Sequence, residues 1–247
     1  MKNNPFSLNG KTILVTGASS GIGRATAIEC SKMGAKLIIT GRNTERLQKT
    51  CEQLAGDSHL QYTADLCKDS DIDALVNACP ALDGVFFSAG VTDTTLVKFM
   101  KREKISEILD INLMSPTVLT RQLLSKKKLN RTASLVYMSS YGAEQVEIGL
   151  GIYAASKAGL NAMVHAIAKE VVGREIRANS IMPMMVKTEL VDTLSTLSKD
   201  DLNKDEARYP LGYGNPVDIA YAAIYLLSDA SRWITGTQIR MDGGSTL

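Results

Sequence analysis

Hydrophobic and polar positions along this chain follow two rhythms that take turns. Short strand-like runs, the first of them apolar and rich in β-favouring side chains, stand at Lys11 to Thr16, Ala35 to Thr40, His59 to Ala64, Leu82 to Ser88, Ser134 to Ser139, Arg177 to Met182 and Gly236 to Met241. Each has the length of a strand, and unbroken apolar character is what a strand covered on both faces requires. Between the runs the period becomes helical. After the first, Ile22, Ala25 and Ile28 recur along one face and Gly34 stands where a helix would end. A longer helical pattern spans about Val97 to Lys126, and another carries Tyr153 and runs to about Val172. This alternation predicts an α/β fold with a doubly wound, seven-stranded parallel sheet and helices on both faces. No Pro-rich linker, repeat or low-complexity segment divides the 247 residues, so a single domain is expected.

The first strand runs into Gly17, Gly21 and Gly23 before its helix begins. Glycines there allow a tight turn, a close approach of bare backbone to a ligand, and close packing of helix on strand. The fresh helix N-terminus then offers unpaired N–H groups to a phosphate. A strand before and a helix after are the context a dinucleotide site needs; a purely structural turn is the competing reading. Roughly 20 residues on, where an NAD site presents an acid to the ribose 2′-hydroxyl, the chain has Thr40-Gly41-Arg42. The guanidinium of Arg42 suits a 2′-phosphate, which predicts NADP(H) as the cofactor. A solvated arginine at a strand end is the alternative, and Arg24 is a weaker candidate for the same task.

Three further features carry chemistry. Pro116 lies inside the long helical pattern and has no N–H for the carbonyl four residues earlier, that of Asn112, so a kink with a free carbonyl is expected there. Tyr153 and Lys157 are four apart and share a helix face. An ammonium beside the phenol is expected to lower a pKa of about 10 and give a usable acid/base. Ser140, at the end of the fifth strand, can hold a substrate carbonyl beside the tyrosine hydroxyl. Ser139, one position off, is less suited. His59 and His165 have no neighbouring motif that would make either a base.

The stretches Thr16-Gly17-Ala18-Ser19-Ser20-Gly21-Ile22-Gly23 and Tyr153-Ala154-Ala155-Ser156-Lys157 resemble the short-chain dehydrogenase/reductase family, and the resemblance extends over nearly the whole chain. It implies a Rossmann fold with Ser19, Ser20 and Ile22 in the cofactor loop and a tetrad of Asn112, Ser140, Tyr153 and Lys157. In that family the asparagine main chain is thought to hold a water in a proton relay, and the lysine also holds the nicotinamide ribose. Asp65 and Leu66 resemble the adenine-contacting pair, although an aspartate capping the next helix would look the same. Phe87-Ser88-Ala89-Gly90 stands where members have Asn-Asn-Ala-Gly. Ser88, Ala89 and Gly90 keep the approach to the cofactor ribose, while Phe87 cannot make an asparagine's hydrogen bonds. Pro183-Met184-Met185-Val186-Lys187-Thr188 resembles the Pro-Gly segment that leads to a nicotinamide-contacting threonine. Val186 and Thr188 are the contacts implied, Met184 replaces the glycine, and Thr188 capping a following helix is the alternative. A substrate lid is implied around 188–212. The stretches Pro216 to Ala220 and Thr235 to Gly244 match a C-terminal signature that packs across two-fold axes in tetramers, so a homo-oligomer, tetramer or dimer, is expected, and Tyr213 stands where members often carry arginine.

The implied reaction interconverts a ketone and a secondary alcohol. Arg131 and Arg174 match arginines that meet the acidic carrier in 3-oxoacyl carrier-protein reductases, which makes a 3-oxoacyl thioester the leading substrate. A sugar, polyol or other secondary alcohol competes, and a non-catalytic NADP-binding sensor is the alternative of another class. Composition narrows the field further. Charged residues make up 22% of the chain and the net charge is +2, too weak a field to imply nucleic acid. No apolar run approaches the roughly 20 residues of a membrane span, and Met1 to Asn9 is polar, so a cytoplasmic protein is expected. Cys30, Cys51, Cys67 and Cys79 form no Cys-x-x-Cys pair and read as reduced thiols, with no metal site.

Overall fold

The computed structural model describes residues 4–189 and 199–247. Seven strands form one sheet: β1 (Thr12–Thr16), β2 (Lys36–Gly41), β3 (Leu60–Thr63), β4 (Leu82–Phe87), β5 (Leu129–Met138), β6 (Arg177–Pro183) and β7 (Gln238–Met241). Their order is β3-β2-β1-β4-β5-β6-β7, and every neighbouring pair is parallel. The helices are α1 (Gly21–Lys32), α2 (Thr44–Cys51), α3 (Asp69–Ala78), α4 (Arg102–Leu109), α5 (Ser115–Ser125), α6 (Gly151–Val171), α7 (Lys199–Glu206) and α8 (Pro216–Leu227). The chain winds outward from β1 to β3, then returns to place β4 on the other side of β1. That reversal opens a crevice at the carboxyl ends of β1 and β4, where ligands of open α/β sheets bind.

Successive side chains of each strand feed two cores. Leu14, Val85, Leu135 and Ala178 face one, packed under α3, α5 and α6; Ile13, Val15, Ile39, Phe86 and Val136 face the other, under α1 and α8. Ile13, Leu14 and Val15 are fully buried, and burial of each such side chain contributes about 1.5–3 kcal/mol. The edge strands β3 and β7 are less covered, which agrees with their position in the order.

The strands fall where the apolar runs predict, with one notable difference. β5 begins at Leu129, five residues before the expected Ser134. Its register against β4 shifts between Leu82 and Gly84, and Thr132 has φ +70°, so an irregularity in the strand breaks the apolar pattern. The expected long helix over Val97 to Lys126 is also divided. Val97–Phe99 is a separate 3₁₀ turn, α4 starts at Arg102, and Asp110–Met114 is a π turn that passes into α5. Lys126 and Lys128, at and just beyond the end of α5, brace it against α3: Lys126 Nζ reaches Asp73 at 2.8 Å and Lys128 Nζ donates to the carbonyl of Cys79 at 2.6 Å.

The proposed lid around 188–212 falls partly on 190–198, outside the described residues. In its second half Lys199–Glu206 forms α7. Beyond it, Tyr213 donates to Asp205 at 2.6 Å and packs edge-on against Tyr209. Among the described residues no helix is long and apolar enough to cross a membrane.

Candidate active site

A cleft of about 670 Å³ opens at the carboxyl ends of β1 and β4, lined by the glycine turn, Arg42, Ser88 to Gly90, Ser140, Tyr153 and Lys157. At its floor the backbone is bare for a steric reason. A Cβ on Gly23 would lie 2.3 Å from the carbonyl oxygen of Gly17, and one on Gly17 would lie 2.7 Å from the amide of Ala89. Gly17 also takes φ +63°, which a side chain would resist. The N-terminus of α1 has no side-chain cap and no acidic residue in its first turn. Its N–H groups and dipole therefore face the cleft without an internal anion, which suits the pyrophosphate of a dinucleotide.

One end of the cleft is built by β2, β3 and their following turns. Arg42 lines the cleft, exposed, directly after β2. Arg24 does not line it. Its guanidinium instead braces the loop, donating to the carbonyl of Ser19 and to Thr50 Oγ1. Asp65 and Leu66 line the cleft, and Asp65 accepts from the amide of Cys67 at 3.2 Å rather than capping α3, whose cap position is Lys68 without a side-chain bond.

The Phe87-Ser88-Ala89-Gly90 turn is held in a way its sequence did not disclose. Thr16 Oγ1 accepts from the amides of both Ser88 and Ala89, at 3.0 and 3.2 Å, and so ties the ends of β1 and β4. Phe87 points into the core, stacked on Tyr137 with ring centroids 4.3 Å apart and planes within 2°. Tyr137 Oη meets Thr120 Oγ1 at 2.8 Å, so this buried phenol is satisfied. The missing asparagine is thus replaced by an aromatic pair that packs. Met184 is accommodated just as simply: its amide donates to the carbonyl of Met241 at 3.0 Å, and its φ is not positive. Val186 bridges to Gly214, and the methyl of Thr188 lies 3.5 Å from the Cβ position of Gly21. The helix that Thr188 could cap lies outside the described residues.

Ser140, Tyr153 and Lys157 come together at the other end of the cleft. Ser140 hydrogen-bonds the Tyr153 phenol and accepts from the amide of Gly142 at 3.1 Å. Lys157 is buried, donates to the carbonyl of Met138 at 2.8 Å, and sits 5.8 Å from the centre of the Tyr153 ring. Burial pushes the Lys157 pKa down to about 8. The expected lowering of the Tyr153 pKa is corrected here. Burial raises it, the hydrogen bond with Ser140 pulls the other way, and the ammonium is turned to Met138. A phenol held protonated is the form that can give a proton.

Asn112 lies inside the π turn, 1% exposed, beneath the cleft wall rather than on it. Pro116 has no N–H to offer its carbonyl. Its side chain exchanges two bonds with the backbone of Val91, each 2.9 Å, and donates to Ser156 Oγ at 3.0 Å. A Cβ on Gly90 would meet Asn112 Oδ1 at 3.1 Å and Lys157 Nζ at 3.5 Å, so both groups press on the same bare backbone. Ser139 also lines the cleft, but it is buried and its hydroxyl donates to the carbonyl of Lys157 at 3.4 Å. Both histidines are engaged elsewhere: His59 accepts from the amide of Leu37, and His165 meets Gln238. Among the cleft-lining residues that the sequence left unmarked are Thr92, Thr94, Gln145, Glu147 and Arg208, which only the folding of distant loops brings together.

A family model described as "Enoyl-(Acyl carrier protein) reductase" matches residues 17–246. A 3-oxoacyl-(acyl-carrier-protein) reductase, FabG, from Rickettsia felis is 35% identical over 96% of this chain and 97% of its own length. The chain belongs to the short-chain dehydrogenase/reductase family. It is an oxidoreductase fold in every layer, and solved members superpose on it closely. A short-chain type dehydrogenase/reductase from Mycobacterium marinum matches with a TM-score of 0.90 at 26% identity, covering 98% of each chain. A Beutenbergia cavernae member, provisionally described as an NAD(P)-dependent gluconate 5-dehydrogenase with NADP bound at low occupancy, matches with a TM-score of 0.88 at 28% identity, covering 98% of this chain and 99% of its own.

Proposed function

We propose that this short-chain dehydrogenase/reductase is an NADP(H)-dependent ketone reductase, with a 3-oxoacyl thioester as its substrate. The observation that carries the proposal is the meeting of Ser140, Tyr153 and Lys157 at one end of a cleft whose other end is a side-chain-free glycine turn with Arg42 beside it. Ser140 holds the carbonyl oxygen, and Tyr153 gives that oxygen its proton. Lys157 keeps a positive charge under the phenol and faces the ribose side of the cleft, while Asn112 fixes the Val91 backbone beside it. When bound, the nicotinamide supplies the hydride to the carbonyl carbon. Gly17, Ser19, Ser20, Gly21, Ile22 and Gly23 would hold its pyrophosphate, Arg42 its 2′-phosphate, Asp65 and Leu66 its adenine, and Ser88, Ala89, Gly90, Val186 and Thr188 its ribose and carboxamide.

The relatives' names support an acyl chain on a carrier protein as the cargo. Arg131 and Arg174 flank one shallow surface pocket with Gly173, which makes them the proposed carrier contact. Arg131 pairs with Glu175 at 2.5 Å, and Arg174 donates to the carbonyl of Leu129. From Arg131 to the Met138 end of β5 is roughly 20–25 Å along the strand, so docking there serves the cleft of a neighbouring copy in a homo-oligomer. A cytoplasmic tetramer or dimer belongs to the same proposal. A second reading, a sugar or polyol substrate, is favoured by the polar Thr92, Thr94, Gln145 and Glu147 on the cleft wall.

The test is NADPH oxidation over a panel of ketones, acetoacetyl thioesters and keto-sugars, with Tyr153→Phe as control. Turnover of the thioesters, falling by roughly 10²–10⁴ in the variant while NADPH still binds, is the expected result. NADPH binding without turnover of any ketone would establish a sensor instead. With a carrier-linked substrate, unchanged rates after replacing Arg131 and Arg174 would remove the docking site.

A further inference from the structure

Three arginines gather around the ribose end of the cleft, and one carboxylate is set among them. Arg42 lines the opening after β2, Arg24 projects from α1, and Arg46 lies in the first turn of α2. Glu189 also lines the cleft, and it reaches across the glycine turn to both helices: Oε2 lies 3.1 Å from Arg46 Nη1 and Oε1 lies 3.7 Å from Arg24 Nη1. The neighbouring Thr188, packed over Gly21, fixes where this reach begins. Arg42 makes no ion pair among the described residues, whereas Arg24 is already tied to Ser19 and Thr50. The carboxylate therefore occupies the electrostatic niche, between two guanidinium groups, that an incoming phosphate would seek.

We propose that Glu189 is an internal competitor for the coenzyme's 2′-phosphate and so sets how strongly the protein distinguishes NADP(H) from NAD(H). The proposal rests on the NADP(H) reading above. A 2′-phosphate brings close to two negative charges to this corner. It must draw Arg46 away from Glu189 or sit against an unscreened carboxylate, and either one weakens its hold. A 2′-hydroxyl brings no charge and is indifferent to Glu189. The effect is therefore confined to the phosphorylated ribose, and it follows the size of an exposed ion pair.

Calorimetric titration of the wild-type protein and Glu189→Gln with 2′,5′-ADP and with 5′-AMP tests this without any turnover. Glu189 is exposed, and matched thermal melts will show that the variant is folded. The variant should bind 2′,5′-ADP roughly two- to fivefold tighter, bind 5′-AMP as the wild type does, and lose its advantage in high salt. A variant that weakens or leaves unchanged its 2′,5′-ADP binding overturns the proposal. So does an equal change for both nucleotides, which would make Glu189 a general clamp over the glycine turn. If the wild type shows no preference for 2′,5′-ADP over 5′-AMP, the NADP(H) reading itself falls, and the proposal falls with it.

Discussion

Replacing Lys157 with methionine separates what this lysine does for the chemistry from what it does to the fold. Its side chain is buried, and burial takes its pKa from the usual 10.5 to about 8. At about 1.4 kcal/mol per pH unit, a depression of that size removes about 3 kcal/mol of folding free energy wherever the lysine is charged in both states. The direction follows from the protons bound. Between pH 8 and 10.5 the unfolded chain keeps the lysine's proton while the folded chain has released it, so this group makes stability rise with pH across that window. Below about 8 the penalty is present in full. Methionine of similar length removes the penalty but leaves the Met138 carbonyl, which Lys157 meets at 2.8 Å, without its donor. That loss costs about 1–3 kcal/mol at any pH. The variant should therefore be up to about 2 kcal/mol more stable than wild type near neutrality and less stable near pH 10.5, and the two stability curves should cross. Urea unfolding followed by circular dichroism at several pH values reads both curves, and the same samples should show ketone reduction lost. Parallel curves without a crossing would mean that burial of the ammonium does not control this position.

Three other expectations test separate parts of the site. The reduction rate should fall as pH rises through about 8, because Lys157 loses its charge there while burial keeps Tyr153 protonated; a rate that stays flat well above that pH would contradict the assignment. Gly17→Ala, whose Cβ would lie 2.7 Å from the Ala89 amide at φ +63°, should weaken NADPH binding roughly tenfold or more in a fluorescence titration, since the backbone strain alone is about 1–2 kcal/mol. Phe87→Asn moves the turn toward the family's usual residue, yet it removes a ring stacked on Tyr137 and buries an amide in the core. It should lower stability by about 3 kcal/mol or more in denaturant unfolding, and a neutral result would show that the pair does not pack as described.

What the sequence determined by itself is what local pattern can carry. The apolar runs of β1, β2, β4 and β6 announce strands buried on both faces, because a parallel sheet covered by helices leaves no face for polar residues. The glycine turn was legible because bare backbone has no substitute where chain passes chain, and the Tyr153 to Lys157 spacing was legible because one helical turn fixes two side chains on one face. Tertiary structure alone decided the rest. The irregularity in β5 depends on its register with β4 and so leaves no periodic trace. Phe87 reads as a defective motif until Tyr137, fifty residues away, stacks on it. The lowered pKa of Lys157 and the raised one of Tyr153 come from burial, a property of everything packed around them rather than of their spacing. Glu189 has no motif, and it gained a role only when the chain after β6 brought it between two helices from the opposite half of the sheet. Local spacing fixes which groups share a face; solvent exclusion and the charges that converge from distant segments exist only in the folded chain.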